Sequence, residues 1–139
     1  MPLQTVTHLN FRGQARDALA FYQQVLDGQL TAVTYAQAGQ GDKAADPSHV
    51  MWGQVITESG FRVMAYDVQA ALPWNPGENA FFVSLRCDSE AEAFALWEAL
   101  GAGGTVLEPM APAPWSPQYG KLQDRFGVIW LVDVAVVRG

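Results

Sequence analysis

The chain has 139 residues, half of them hydrophobic, which is enough apolar material for one core of ordinary size and too much for a disordered segment. Eight Lys and Arg, scattered without a run, stand against fourteen Asp and Glu for a net charge of −6, so the clustered cations that nucleic-acid phosphates require are absent. No apolar run approaches the roughly eighteen residues of a membrane span, the start Met1-Pro2-Leu3-Gln4 lacks the basic-then-apolar layout of a signal peptide, and the single cysteine, Cys87, leaves no internal disulfide; the expected location is the cytoplasm.

Residues 5–11 are rich in β-formers and read as a first strand. Over 14–26, Ala15, Ala18, Leu19, Tyr22, Val25 and Leu26 recur at three- and four-residue spacing, which predicts an amphipathic helix closed by Gly28. Residues 30–37 read as a second strand. The stretch 38–48, with Gly39, Gly41 and Pro47 and no apolar period, reads as a loop. Residues 50–57 and 61–68 form a hairpin about Glu58, Ser59 and Gly60, and 70–79, with Pro73 and Pro76, is a linker. A fifth strand spans 80–87. Ser89, followed three residues later by Glu92, has the spacing of a capping box and opens a second helix that ends near Gly101, Gly103 and Gly104. Residues 105–108 read as a strand, the prolines between Pro109 and Pro117 bar regular pairing, and 119–123 and 128–135 are the last two strands.

These elements repeat. Ala18-Leu19-Ala20-Phe21-Tyr22 in the first helix is echoed by Ala93-Phe94-Ala95-Leu96-Trp97 in the second, each helix follows a strand, and Gly60 and Gly127 each open a late strand. The reading is α+β: a single domain, 1–139, of two tandem βαβββ modules, about 1–69 and 80–139, forming curved mixed sheets with helices on the outer face. Alternation along the strands puts Val83, Leu85 and Cys87, with Trp130, Val132 and Val134, on the helix side. Phe82, Ser84, Arg86, Ile129, Leu131 and Asp133 then take the opposite face, and the repeat assigns Thr7, Leu9, Phe11, Arg62, Met64 and Tyr66 to that face too. A slip of one residue would invert any of these assignments.

Phe21-Tyr22 closing the first helix, with Pro114-Trp115, Tyr119-Gly120, Asp124-Arg125-Phe126-Gly127-Val128 and Trp130 at the end, resembles the PhnB-like branch of the vicinal oxygen chelate superfamily. That superfamily includes glyoxalase I, extradiol dioxygenases, fosfomycin resistance enzymes and bleomycin resistance proteins. The resemblance covers nearly the whole chain. It implies sheets curling into an open half-barrel, often completed by a second subunit, with ligand inside the curl. It also implies that metalloenzyme members carry His, Gln or Glu on inward positions of the first, fourth, fifth and eighth strands. Carried over through the repeat, those positions are Thr7, Met64, Phe82 and Leu131, and none is a ligand for a hard divalent cation. His8, one place along, reads as a satisfied histidine, and His49 as a surface residue.

The expected site is therefore a ligand-binding surface of Phe11, Trp52, Arg62, Met64, Tyr66, Phe82 and Arg86, with Asp133 as a polar point and Trp115 and Tyr119 at the rim. No metal, no cofactor and no catalytic residue is assigned. Such a lining suits an apolar or aromatic small molecule held by stacking and oriented by a few polar contacts. Three functions remain open. The first is metal-independent binding by a homodimer, in the manner of proteins that sequester cationic drugs. The second is a glyoxalase- or dioxygenase-type metalloenzyme with non-standard ligands. The third is a metal-free enzyme using Tyr66, Arg86 or Asp133. Side chains that merely fill the curl or bury a subunit interface are a further reading. Some relatives carry a methyltransferase label for ubiquinone synthesis, but the chain has no glycine-rich strand-to-helix turn of the kind that binds S-adenosylmethionine.

Overall fold

The computed structural model describes residues 3–136; Met1 and Pro2 of the start considered above, and residues 137–139, lie outside them. The chain divides into two compact units, Met1–Pro76 and Gly77–Gly139. The first runs β1 (Thr7–Phe11), α1 (Ala15–Leu26), β2 (Gln29–Thr34), a single 3₁₀ turn (Gly41–Lys43), β3 (Val50–Ile56) and β4 (Arg62–Asp67). The second runs β5 (Val83–Cys87), α2 (Glu90–Gly101), β6 (Thr105–Ala113), β7 (Ser116–Gln123) and β8 (Ile129–Val134). Each unit holds one four-stranded mixed sheet, ordered β1-β4-β3-β2 and β5-β8-β7-β6, with β1–β4 and β5–β8 parallel and the other pairs antiparallel. The βαβββ repeat of the sequence is thus an α+β fold built twice.

In unit one, α1 covers β2, β3 and β4. Ala15, Ala18, Leu19, Phe21 and Tyr22 are its buried residues, and Leu9, Phe11, Val55, Val63 and Ala65 of the sheet are all 3 % exposed or less. Gln14 makes no side-chain cap for α1. The task falls to Asp67 at the end of β4, whose Oδ1 accepts from Gly13 N (2.6 Å) and Ala15 N (3.1 Å) while Oδ2 accepts from Val50 N (2.8 Å). One buried carboxylate ties the ends of three elements, and its negative charge sits at the positive end of α1. The start of the linker is held to the same unit: Arg12 Nη2 donates to the carbonyls of Gln69 (2.8 Å) and Leu72, and Trp74 Nε1 donates to Asn10 O (3.1 Å).

In unit two, α2 lies over β5, β7 and β8 and buries Ala93, Trp97 and Leu100. Ser89 caps it, its hydroxyl accepting from Glu92 N at 3.1 Å, as the spacing predicts. Asp124 mirrors Asp67 as a buried organiser. Its Oδ1 accepts from Phe126 N (2.8 Å) and Val128 N (3.1 Å), and its Oδ2 from Trp130 Nε1 (2.9 Å). The turn residue of the sequence is also the anchor of the largest core side chain.

The prolines do not end β6 at Glu108. The strand continues through Pro109 and Pro112 to Ala113, turns at Pro114 and Trp115, and pairs with β7 from Ser116, including Pro117. β6 is an edge strand, so a missing N–H costs no second ladder, and register shifts between Val106 and Ala113 accommodate the rings. β5 starts later than expected, at Val83, because the chain leaves the linker through left-handed backbone at Gly77 (φ 73°) and Asn79 (φ 53°).

Candidate functional site

Strand pairing sorts side chains between the helix-covered face and the helix-free face of each sheet. In unit one, His8 pairs with Met64 and Asn10 with Tyr66 across β1–β4, and Gln54 pairs with Met64 across β3–β4. The helix-free face therefore carries His8 and Asn10, then Arg62, Met64 and Tyr66, then Trp52, Gln54 and Ile56. Trp52 is 36 % exposed, and the rings of His8 and Tyr66 meet edge to face at 5.3 Å. Phe11 does not join them. It is 3 % exposed and sits opposite Asp67, on the helix-covered face with Leu9, so the parity expected for β1 is corrected by one residue.

That correction moves the whole inward set. With Met64 paired to His8 and Leu131 paired to Ser84, the equivalent positions are His8 and Ser84; Thr7 is equivalent to Val83, and Phe82 precedes the strand. The inward row contains one imidazole, His8, and not the threonine and phenylalanine inferred from sequence. His8 Nδ1 lies 3.0 Å from Asn10 Oδ1. Among the described residues no three His, Cys, Asp or Glu side chains cluster so as to hold a metal ion. A groove of about 470 Å³ opens at the strand ends of unit one, lined by residues 4–7, Ile56 and 60–62; of the expected residues only Arg62 reaches it.

In unit two, the helix-free face has a charged row and an aromatic fringe. Arg86 pairs with Asp133 across β5–β8, and Asp133 with Tyr119 across β7–β8, so the three lie side by side. Arg86 Nε donates to Asp133 Oδ1 at 3.2 Å and Nη2 to Oδ2 at 3.4 Å; Arg86 remains 65 % exposed in its side chain and Asp133 only 6 %. The Trp115 and Tyr119 rings meet edge to face at 5.2 Å, with Trp115 at the tip of the β6–β7 turn and 52 % exposed. Burial first, then the Glu108 charge and hydrogen bond, then Asp133, raise the Tyr119 phenol above its ordinary pKa, so it stays protonated at neutral pH. In the next row Lys121 lies 3.7 Å from Glu108 and holds its ammonium 5.0 Å from the Phe82 ring centroid; Phe82 is 39 % exposed.

The structure thus gathers Arg86, Asp133, Tyr119, Trp115 and Phe82 in unit two, and Trp52, Arg62, Met64 and Tyr66 in unit one. Sequence reasoning passed over Asn10, Gln54, Glu108 and Lys121 and set His8 aside. The polar–apolar alternation of Thr7 to Phe11 contains the signal for His8 and Asn10. Lys121 and Glu108 require the β6–β7 register.

Two sheets of this topology, each backed by one helix, define the glyoxalase/bleomycin resistance-like class of fold. The structure of a glyoxylase/bleomycin resistance protein/dioxygenase domain from Frankia sp. EAN1pec shares it, at 14% identity with a TM-score of 0.69 over 98% of this chain and 99% of that one. Residues 3–133 match the family described as 3-demethylubiquinone-9 3-methyltransferase, and the chain belongs to this PhnB-like family. Protein PA1353 from Pseudomonas aeruginosa is similar at 37% identity and a TM-score of 0.83, covering 96% of this chain and 98% of its own. A protein from Bacillus cereus described as a putative 3-demethylubiquinone-9 3-methyltransferase, PhnB protein, is similar at 25% identity and a TM-score of 0.72, covering 96% and 100%.

Proposed function

We propose that this chain is a cytoplasmic, metal-independent binding protein that holds an apolar or aromatic small molecule against the helix-free faces of its sheets and works as a homodimer. The observation that carries the reading is the placement of large apolar side chains where a core would not leave them. Trp52, Phe82 and Trp115 are 36 %, 39 % and 52 % exposed on or beside those faces, flanked by a few polar groups that are themselves paired. Exposed Val106 and Leu107 on edge strand β6, with Phe94 on α2, support a subunit contact.

The residues of the inward row favour binding over metal chemistry. His8 stands beside the thioether of Met64, and the equivalent places in unit two are Ser84 and Leu131. This is a poor set for a hard divalent ion. The two strand-to-helix turns read Arg12-Gly13-Gln14 and Asp88-Ser89, neither of them glycine-rich, which gives no support to the methyltransferase chemistry in the family's description. One observation favours a second reading: His8 is on the helix-free face, so a metalloenzyme with non-standard ligands would use it first.

Two measurements on protein purified without chelators or metal-affinity resin test the choice. Elemental analysis is expected to show no stoichiometric transition metal; one metal per chain, lost in His8→Ala, would replace the binding reading with the enzyme reading. A thermal-shift screen of aromatic compounds is expected to raise the melting temperature, since a ligand that binds only the folded chain stabilises it. A flat screen together with a Trp52→Ala or Phe82→Ala variant altered only in stability would leave these side chains as packing or subunit contacts.

A further inference from the structure

The Arg86–Asp133 pair specifies more than an ion pair. Asp133 takes the Nε/Nη2 edge of the guanidinium, side by side, through both carboxylate oxygens. This is the bidentate arrangement that fixes a planar fork in one orientation. Arg86 carries five N–H groups, and the Nη1/Nη2 edge, with two parallel donors, is left at the end of a side chain that is 65 % exposed. Its anchor is nearly buried, so the fork is held from below and offered to solvent from above. On the far side of Asp133 in the same cross-strand row stands Tyr119, whose ring meets that of Trp115 at the β6–β7 turn.

We propose that this corner of unit two is the orienting subsite of the ligand surface, and that it selects aromatic compounds bearing a carboxylate: the ring lies against Trp115 and Tyr119, and the carboxylate takes the free Nη1/Nη2 fork of Arg86. The inference rests on the binding reading above and names the ligand class for it. Arg86 is the cation of that row, and its end-on fork is the donor pair it presents to a ligand carboxylate. Charges farther away than roughly 8–10 Å are screened at physiological ionic strength, and of the carboxylates near this row Asp133 is paired with Arg86 and Glu108 with Lys121. Asp133 is a positioning residue; Arg86 is the contact.

The test compares 2-naphthoate, 2-naphthalenemethanol and 2-naphthylmethylamine on the full chain, by calorimetric titration and by tryptophan fluorescence. The carboxylate is expected to bind at least about tenfold more tightly than the alcohol, and the amine no better than the alcohol. Arg86→Lys keeps the positive charge beside Asp133 but removes the fork, and is expected to bring the carboxylate-to-alcohol affinity ratio down to about one, with the melting temperature measured alongside to verify folding. Arg86→Gln should do the same for preference; if it does not fold, Arg86→Lys decides. Equal affinity of carboxylate and alcohol, a preference for the amine, or full carboxylate preference in Arg86→Lys overturns the subsite while leaving a binding surface. Failure of all three compounds to bind overturns both.

Discussion

Gly120 lies in β7 on the face that α2 covers, and a Cβ at that position would lie 2.6 and 2.7 Å from Cζ3 and Cη2 of Trp97 and 3.2 Å from Met110 Cα. Carbon atoms rest about 3.5–4.0 Å apart, so Gly120→Ala requires the indole to retreat by about 1 Å. Trp97 is 8 % exposed, and its rigid bicycle cannot turn one end aside. Overpacking of this kind costs about 1–3 kcal/mol, offset by up to about 1 kcal/mol from the reduced freedom of the unfolded chain, so a net loss of about 1–2 kcal/mol is expected. At the equivalent glycine of the other unit, Gly53, a Cβ would come within 2.4 Å of Leu19 Cδ1, 3.2 Å of the Ala65 carbonyl oxygen and 3.3 Å of Val50 Cγ1, all fully buried, so Gly53→Ala is expected to cost a similar amount. Urea unfolding with the slope checked for constancy measures both. Trp97→Phe removes the clashing ring edge, so the double variant with Gly120→Ala should be more stable than additivity predicts, by about 1 kcal/mol. A Gly120→Ala protein as stable as the parent, or strict additivity, would refute the close-approach argument.

Two further outcomes follow from buried groups. Asp124→Asn keeps an oxygen for Phe126 and Val128 N–H but turns a donor toward Trp130 Nε1; a loss of about 2–3 kcal/mol in urea unfolding is expected, and Trp130→Phe should reduce the penalty. Burial foremost, then Glu92, pushes the Cys87 thiol up from 9.0 to about 11. The folded pKa lies above the unfolded one, so this contribution to stability is fully present below about pH 9 and is lost as pH rises toward 11. Denaturant midpoints measured across that window should fall less steeply in Cys87→Ala, and a thiol reagent at pH 8 should label the unfolded chain and spare the folded one.

Much of the fold is legible in the sequence because its signals are local. Ser89 and Glu92 mark the start of α2, and the alternation of Val83, Leu85 and Cys87 marks the buried face of β5. Where inference failed, a non-local comparison had overridden a local pattern. Thr7, Leu9 and Phe11 are the more apolar set of β1 and belong under the helix; aligning Thr7 with Phe82 through the repeat turned the strand over and hid His8. Four prolines between Pro109 and Pro117 hide the second half of β6, because whether a strand lies at a sheet edge, where prolines are tolerated, is a property of topology. The candidate site divides in the same way. Alternation puts Arg86 and Asp133 on one face, but their pairing depends on the parallel β5–β8 register, and the Glu108–Lys121 pair on a bulged antiparallel one.

The most direct test of ligand binding on the helix-free faces uses the five indole N–H signals in a ¹H–¹⁵N spectrum during titration with 2-naphthoate. Trp52 and Trp115 face outward on or beside those faces, whereas Trp97, on the inner side of α2, and Trp130, on the helix-covered face of β8, are buried at 8 % and 0 % exposure. Saturable shifts are expected for Trp115, or for Trp52 and Trp115 together, with Trp97 and Trp130 unmoved. Shifts confined to Trp97 and Trp130, or none at any ligand concentration, would contradict binding on those faces.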